Sequence, residues 1–240
     1  MVWWDVARIA RERRKLRDLT LHSKIALTTT AVLLVGGTLG FLLLEHGTAF
    51  GGFSWIDKVR MAFFQSVTTR TAGFAAVPQE GLTGGSVLLT CLLMFIGGSP
   101  VGTAGGIKTV TVTVLAAFAL ATARGKREVS QFHRRIPRQT LYKAVAVAFV
   151  SLTTAFSAAL LLCLFTGLDA LDLLFEAFSA TATVGLSRGV TADLGGIGKW
   201  VIIAAMYLGR VGPISLTVAF GLKRENQNLI RDPEEEISVG

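Results

Sequence analysis

The sequence predicts an all-α integral membrane protein built from two successive copies of one unit. Each unit is a spanning helix, a short pore helix with a re-entrant loop, and a second spanning helix. Three observations predict this fold class. The first is a pair of uncharged stretches, at positions 25–44 and 144–168, that are long enough to cross a bilayer as helices. The second is the distribution of charge, and the third is an internal repeat.

Charge is segregated along the chain. The net charge of +8 at pH 7 comes mainly from residues 1–24 and 124–143, which each hold seven Lys or Arg residues, whereas residues 45–80 and 166–199 are balanced or acidic. This alternation follows the positive-inside rule. It predicts a multi-pass protein of the plasma membrane with both termini in the cytoplasm and its basic loops against membrane lipid. It argues against binding of nucleic acid.

The elements follow in order. Residues 1–21 are predicted to lie on the inner leaflet or to form a helical link to a segment upstream, and they lack the apolar core of a cleavable signal peptide. A first span and a helix too short to cross come next. The predicted organisation is a basic amphipathic cytoplasmic segment (1–21), a span–pore–span repeat (22–123), a basic cytoplasmic loop (124–139), a second span–pore–span repeat (140–222) and a cytoplasmic tail (223–240).

The second span of the first repeat, residues 84–123, is interrupted. Five glycines and a proline lie between residues 97 and 108, and this composition cannot hold a regular helix. Inside a bilayer a broken backbone survives only within protein or along a water-filled path, so we expect a gate or a binding site here. The segment also resembles a phosphate-binding loop. That motif needs Gly and Lys to be adjacent and to follow a strand, whereas here Ile107 separates Gly106 from Lys108 and the segment lies in a membrane span, so we do not expect nucleotide binding.

The two units align without gaps when Thr71 is placed on Thr183. This register matches the aromatic residue of each short helix, the Thr-x-Thr-x-Gly loops and the two helix breaks. The aligned pairs are Phe63 and Phe175, Thr69 and Thr181, Thr71 and Thr183, Gly73 and Gly185, and Gly97 and Gly209.

The repeated loops have the composition of a cation filter. Such a filter replaces the hydration shell of an ion by backbone carbonyls, and it needs glycine for the backbone angles and gains a hydroxyl from threonine. The candidate filter residues are Thr71, Ala72, Gly73, Thr183, Val184 and Gly185. The short helices would direct their negative C-terminal ends towards the ion. The alternative is that these small residues only let helices pack closely, and two loops in register favour the filter.

Three basic residues lie within or beside the spans. Arg210 stands between glycines, and a charge there costs about 2.5–3.5 kcal/mol, so we expect it to face the pore as an electrostatic barrier; the alternative is an interior salt bridge with Glu176. For Lys108, a gating role and a side chain that only extends towards the cytoplasmic side remain equally open. Arg70 is expected to brace the first loop by hydrogen bonds.

No pattern indicates catalysis or a cofactor. Cys91 and Cys163 lie in apolar spans without a His or Cys partner nearby, and the three histidines are scattered at the span edges. The spans contain no paired carboxylates, metal-ligand spacing or nucleophile–base pair, so the chain is not expected to be an enzyme.

With these residues in view, the chain resembles the Trk/Ktr/HKT superfamily of potassium transporters, most of all the bacterial Ktr/Trk membrane subunits. The resemblance covers nearly the whole chain. The stretches that carry it are residues 64–74, 94–100, 105–109, 183–186 and 207–212.

The resemblance implies a role for each motif. Family members have four span–pore–span repeats around one pore, and this chain is similar to the third and fourth. The Thr71 and Thr183 loops would be filter loops, and Arg210 would face the intramembrane gating loop. The gate would comprise Gly98, Ser99, Pro100, Gly102, Gly105 and Gly106 with Lys108 and Arg210. The resemblance also implies a homodimer and a cytoplasmic ring of nucleotide-binding regulatory subunits.

Two loops cannot close a four-loop ring. The missing repeats would come from an upstream part of a longer protein, which we favour, from a partner chain, or from a second copy of this chain. The leading hypothesis is uptake of K⁺, with Na⁺ as a second candidate ion and no cofactor. The alternative is a non-conducting half-transporter or assembly fragment that only docks partner subunits, and ion flux in liposomes distinguishes the two. The paired loops disfavour a secondary solute transporter built on a broken helix.

Overall fold

The computed structural model describes residues 4, 5, 7, 11, 19–100, 104–126, 128–132 and 134–212. Its α-helices, numbered from residue 21 onwards, are α1 (Leu21–Glu45), α2 (Trp55–Thr68), α3 (Gly84–Phe95), α4 (Thr109–Ala123), α5 (Arg138–Phe165), α6 (Ala170–Thr181) and α7 (Gly196–Val211). The expected break of the second span therefore lies between α3 and α4. The last part of the predicted second repeat and the tail lie outside the described residues.

Local sequence sets where several helices begin. Thr20, Ser54, Thr83 and Asp169 each accept a hydrogen bond from a backbone N–H of the first turn that follows. Such caps satisfy amides that have no partner inside the helix. From the sequence, either Asp169 or Asp172 could cap the second short helix. The structure assigns the cap to Asp169, whose carboxylate accepts from the amides of Leu171 and Asp172.

Among the described residues, two helices are long and apolar enough to cross a membrane, α1 and α5, and few of their residues are buried by the rest of the chain. Exposed large side chains such as Leu43, Phe149 and Leu164 give these helices an apolar surface of the kind that lipid covers. Length and composition alone are weak evidence for a span, and here the exposed apolar surface points the same way.

The helices pack around α6. It contacts α3, α5 and α7, while α1 contacts α2, α3 and α4. One apolar cluster joins Phe41 of α1 and Met94 of α3 with Phe175 and Phe178 of α6. Helices approach closely where glycine removes the side chain: a Cβ atom on Gly209 of α7 would overlap the backbone carbonyl of Thr181 at the end of α6.

A buried carboxylate fixes the end of α1 against the start of α3. Glu45 is fully buried, and its Oε1 accepts from the backbone N–H and the hydroxyl of Thr83 at 2.8 Å each. Its Oε2 accepts from Thr48 and from the amide of Ala49. A buried charge is tolerated only when such donors surround it.

The loop between α4 and α5 departs from the expected all-α class. Ser130–Gln131 and Arg134–Arg135 form a two-stranded antiparallel hairpin. Val129 and Ile136, on either side of it, are buried in a cluster with Val114 and Leu141. The hairpin forms because these two apolar residues in a charged loop gain a buried site at the ends of α4 and α5.

Candidate functional site

The two Thr-x-Gly segments share an unusual backbone conformation. Thr71 and Gly73 have φ angles of 70° and 77°, and Thr183 and Gly185 have 53° and 95°. A positive φ is rare for a β-branched residue and costs roughly 1–3 kcal/mol, so it persists only where surrounding contacts impose it. The same strained conformation therefore recurs at the two positions that the sequence alignment of the units pairs.

This conformation turns the loop amides back to the short helices and leaves the carbonyls without a partner among the described residues. The amides of Ala72 and Gly73 donate to the Thr68 carbonyl, and the amide of Val184 donates to the Ser179 carbonyl. Within the part of the chain that the structure describes, no hydrogen bond reaches the carbonyl oxygens of the expected filter residues. Those residues are Thr71, Ala72, Gly73, Thr183, Val184 and Gly185. Unpaired carbonyls of this kind are available to a cation.

Hydroxyl groups at the helix ends hold the loops, and sequence reasoning gave them no role. Thr68 Oγ1 donates to the Phe74 carbonyl at 2.6 Å and accepts from the Phe74 amide at 2.8 Å, so it closes the first loop. Ser179 Oγ accepts from the Gly185 amide at 3.2 Å in the second. The sequence signal for either residue is a small hydroxyl residue one or two positions before the Thr-x-Thr-x-Gly loop.

Side-chain pairs tie each short helix to the segment that follows its loop. In the first half, buried Gln65 donates to Gln79 at 2.7 Å. In the second half, the Glu176 carboxylate accepts from the hydroxyls of Ser187 and Thr191. Both hydroxyls bind Oε1 of Glu176, and the alternative of a salt bridge between this carboxylate and Arg210 stays a prediction.

The two loops lie against each other and against the break between α3 and α4. A Cβ atom on Gly73 would overlap the carbonyl oxygen of Val184. A Cβ atom on Gly105 would overlap the Ala182 carbonyl and the Thr183 hydroxyl. The glycine-rich segment therefore contacts the second loop directly, at the residue whose hydroxyl is expected to face an ion.

The described residues on either side of the break form a closed base. The two ends of this loop meet in a parallel bridge between Ile96 and Ile107, and the Ile107 amide donates to the Phe95 carbonyl at 2.9 Å. Gly106 has a φ of 64°, which glycine adopts without strain. Of the expected gate residues, Gly98, Ser99, Pro100, Gly105 and Gly106 lie in this loop, and Gly102 lies outside the described residues.

Three basic residues were expected at the gate and at the first filter loop. Lys108 Nζ donates to the Ala104 carbonyl, so the ammonium turns back into the loop. Arg210, in the last turn of α7, lies near enough to Lys108 for their charges to interact. Arg70 does not brace the first loop as predicted: within the described residues its buried Nε has no hydrogen-bond partner.

One buried hydroxyl in the site is also unsatisfied. Thr183 Oγ1 has no hydrogen-bond partner among the described residues. Buried polar atoms are almost always paired, so an orphan at this place is a candidate ion ligand. The short helices α2 and α6 end directly before the two loops, which directs the negative ends of their dipoles towards the same region.

Comparison with known proteins decides the family. The sequence profile of the family described as TrkH, cation transport protein, matches residues 6–231. The chain belongs to the TrkH family. It is a membrane protein of a family that transports cations, which agrees with the expectation that it is not an enzyme.

Named relatives of this TrkH-family chain are potassium uptake proteins. The Ktr system potassium uptake protein B of Bacillus subtilis is 37% identical over 231 residues, which are 95% of this chain and 52% of that protein. The potassium/sodium uptake protein NtpJ of Enterococcus hirae is 37% identical over 249 residues, 100% of this chain and 54% of the relative. The chain thus spans about half the length of the curated relatives it matches.

A solved structure has the same fold. The potassium transporter TrkH from Vibrio parahaemolyticus matches with a TM-score of 0.57 and 23% identity, over 82% of this chain and 43% of that one. The likeness agrees with the predicted class of a helical membrane protein.

Proposed function

We propose that this TrkH-family chain is the C-terminal half of a pore that takes up K⁺ across the cell membrane. The observation that carries the proposal is the pair of Thr-x-Gly loops with the same positive φ angles and the same free carbonyls. The names of the relatives support K⁺ as the transported ion, with Na⁺ as a second candidate. Transport needs no cofactor in this mechanism.

The filter would act by exchanging water for protein oxygen. A cation that enters loses its hydration shell and gains the carbonyls of Thr71 to Gly73 and of Thr183 to Gly185, together with the Thr183 hydroxyl. The strained backbone fixes the orientation of these oxygens in advance, because the hydrogen bonds of Thr68 and Ser179 hold the loops before an ion arrives. The dipoles of α2 and α6 add a negative potential at the ion.

The loop at residues 98–106 would be the gate. Its Gly105 abuts the second filter loop, so an ion that leaves the filter meets this segment next. Lys108 and Arg210 bring positive charge to the same place and would repel a cation until the loop moves. The close glycine contacts make a small movement of the loop sufficient to open or close the path.

Two loops need further loops to enclose a pore, and α7 offers a place for them. Cys91 and Met94 of α3 are 4% and 0% exposed and lie in the apolar cluster that includes Phe175 and Phe178 of α6. The residues of α7 that align with them in the repeat, Ile203 and Met206, are 52% and 48% exposed. We infer that the pore helix of a further repeat covers this face of α7, as α6 covers α3.

The assembly would be completed outside this sequence. Two further repeats, from a longer form of the protein or from a second copy, would close the ring. We also propose a homodimer in the plasma membrane with both termini in the cytoplasm, where the basic loop 124–139 would meet lipid and a nucleotide-binding regulatory subunit. The organisation into segments 1–21, 22–123, 124–139, 140–222 and 223–240 is part of this proposal.

Substitutions in the filter test the proposal. Gly73→Ser and Gly185→Ser place a side chain on a positive-φ residue, and we expect both to lower the K⁺ to Na⁺ selectivity of uptake. Gly36→Ser is the control, because Gly36 lies in α1 with open space around it. Deletion of residues 98–106 should give a leak that no longer closes. Unchanged selectivity in both filter variants together with normal closure in the deletion would refute the proposal.

The alternative, a non-conducting assembly fragment, has support in one fact: the chain spans about half of its relatives. Flux of K⁺ into liposomes that hold this chain alone, compared with liposomes that hold it together with the further repeats, separates the two functions. Flux only with the further repeats assigns the pore to the complete ring. If neither kind of liposome shows K⁺ flux, the proposed pore is refuted and the docking function is supported.

A further inference from the structure

Arg188 joins three segments at the far end of the second filter loop. It follows Gly185 by three positions, and only 12% of its side chain is exposed. Its Nε donates to Asp172 Oδ1 at 2.5 Å, in the first turn of α6. The guanidinium therefore fixes the segment that leaves the filter to the helix that leads into it.

The same guanidinium reaches into the first half of the chain. Nη1 donates to the Gln79 carbonyl at 2.6 Å, and Nη2 donates to the Glu80 carbonyl at 3.3 Å. These residues form a 3₁₀ turn between the first filter loop and α3. Gly189, with a φ of 88°, approaches the same turn so closely that a Cβ atom there would overlap the Glu80 carboxylate. The contact between the two halves therefore depends on the hydrogen bonds of Arg188 and on the missing side chain of Gly189.

The connection continues to the first pore helix. The side chain of Gln79, whose carbonyl accepts from Arg188, is paired with Gln65 in α2 and also donates to the Val77 carbonyl at 2.8 Å. A continuous path of hydrogen bonds therefore runs from Asp172 through Arg188 and Gln79 to Gln65. Each end of this path lies in a short helix that ends at a filter loop.

We propose that Arg188 is a positioning residue that sets the distance between the two filter loops and so determines how well the filter discriminates K⁺ from Na⁺. The proposal rests on the proposed function of the loops. Arg188 does not contact the ion. It acts through Asp172 and the 79–81 turn, because a planar guanidinium with several donors holds a carboxylate and two carbonyls in one geometry, which a lysine cannot do.

The chemistry of the filter explains why this position affects selectivity. Discrimination depends on the size of the carbonyl cage or on the number and field strength of its oxygens, and a change in loop spacing alters both. The ion pair of Arg188 is mostly buried, so solvent screens it less than a surface pair. Arg60 offers the contrast: it pairs with Asp57 at 3.4 Å with 76% of its side chain exposed.

The test uses Arg188→Gln, Arg188→Lys and Asp172→Asn, with Arg60→Gln as the matched control. Each is introduced into the complete, membrane-embedded protein. We expect Arg188→Gln to lower the ratio of K⁺ to Na⁺ uptake by roughly fivefold or more, which is the effect of one charge-assisted hydrogen-bond network. Asp172→Asn should change the ratio in the same direction, Arg188→Lys should restore part of it, and Arg60→Gln should leave it unchanged. Equal selectivity in wild type and Arg188→Gln overturns the proposal.

Hydrogen exchange separates this inference from the proposed function. Loss of Arg188 should speed amide exchange in residues 79–83 and 183–189, whether or not the protein transports K⁺. Unchanged exchange in both segments overturns the positioning role. Another outcome is that amide exchange rises in the Arg188 variant while the wild-type protein takes up no K⁺ at all. In that case the proposed function is wrong and so is the selectivity role of Arg188, but the structural contact made by Arg188 is confirmed. If Arg188→Gln does not fold, the positioning role is tested with Asp172→Asn and Arg188→Lys, because both variants keep a polar side chain in the site.

Discussion

At the scale of single residues, Thr183 combines two costly features. Its hydroxyl is buried without a partner in the described residues, and its φ of 53° is unfavourable for a β-branched side chain. A hydroxyl left unsatisfied in this way costs about 1–3 kcal/mol unless a ligand binds it. Both features are understandable if a cation binds here.

Thr183→Val tests whether the hydroxyl contacts the ion. Valine keeps the shape and the backbone strain and removes only the oxygen. We expect the KM for K⁺ uptake to rise roughly fivefold, the equivalent of one net hydrogen bond. The control is Thr181→Val, whose hydroxyl only donates to carbonyls inside α6. If the KM of Thr183→Val is unchanged, the Thr183 hydroxyl does not bind the ion.

Thr68→Val tests the closure of the first loop. The variant loses both hydrogen bonds to Phe74, and we expect the free energy of unfolding to fall by about 1–3 kcal/mol and the K⁺ to Na⁺ selectivity to fall with it. Thr90→Val is the matched control, because the Thr90 hydroxyl is equally buried but donates only within α3. Thermal unfolding and uptake are measured on both. A selectivity loss of the same size in Thr90→Val would argue against a local effect of Thr68.

At the scale of elements, the end of α6 and the last turn of α7 form one contact. The break that the repeat predicts at Gly209 is absent, because the helix continues to Val211. Gly209 lies directly against the Thr181 carbonyl, so any side chain there must displace a helix. The overlap occurs at the residue before Arg210, which means that the position of this basic side chain depends on the glycine.

Gly209→Ala should therefore act on both stability and transport. Overpacking at a tight contact costs about 1–3 kcal/mol, and we expect a lower melting temperature and reduced uptake. Gly196→Ala, at the start of α7 with open space around it, should be neutral. The two variants are compared by thermal unfolding in detergent and by K⁺ uptake. A melting temperature of Gly209→Ala equal to that of Gly196→Ala would contradict the contact.

At the scale of the whole molecule, the exposed face of α7 is the feature to test. If a further repeat covers it, a cysteine at Ile203 or Met206 should react with a lipid-soluble maleimide when this chain is alone and be protected in the complete assembly. The native cysteines are internal controls, since Cys163 is exposed and Cys91 is buried. Equal labelling of the Ile203 variant in both states would place the further repeats elsewhere.

The helices, the broken span and the two Thr-x-Gly loops were predictable from the sequence, because length, hydropathy and glycine clusters are local properties. The bounds of α3 and α4 lie close to those predicted from the interrupted span. The roles assigned to Thr71 to Gly73, to Thr183 to Gly185 and to the gate remain predictions. The hairpin at 130–135 was missed, because its strands are short and its stability comes from Val129 and Ile136, which are buried against other helices.

Which polar residues hold the loops could not be predicted without the packed fold. Arg70 was expected to brace its own loop, yet its Nε has no partner among the described residues, while Arg188 supports the contact between the halves. Glu176 accepts hydrogen bonds from the hydroxyls of Ser187 and Thr191, contacts that the sequence did not indicate. The physical reason is that a side chain pairs with whatever the fold brings within about 3 Å, and residues as far apart as Gln79 and Arg188 share no local pattern in the sequence.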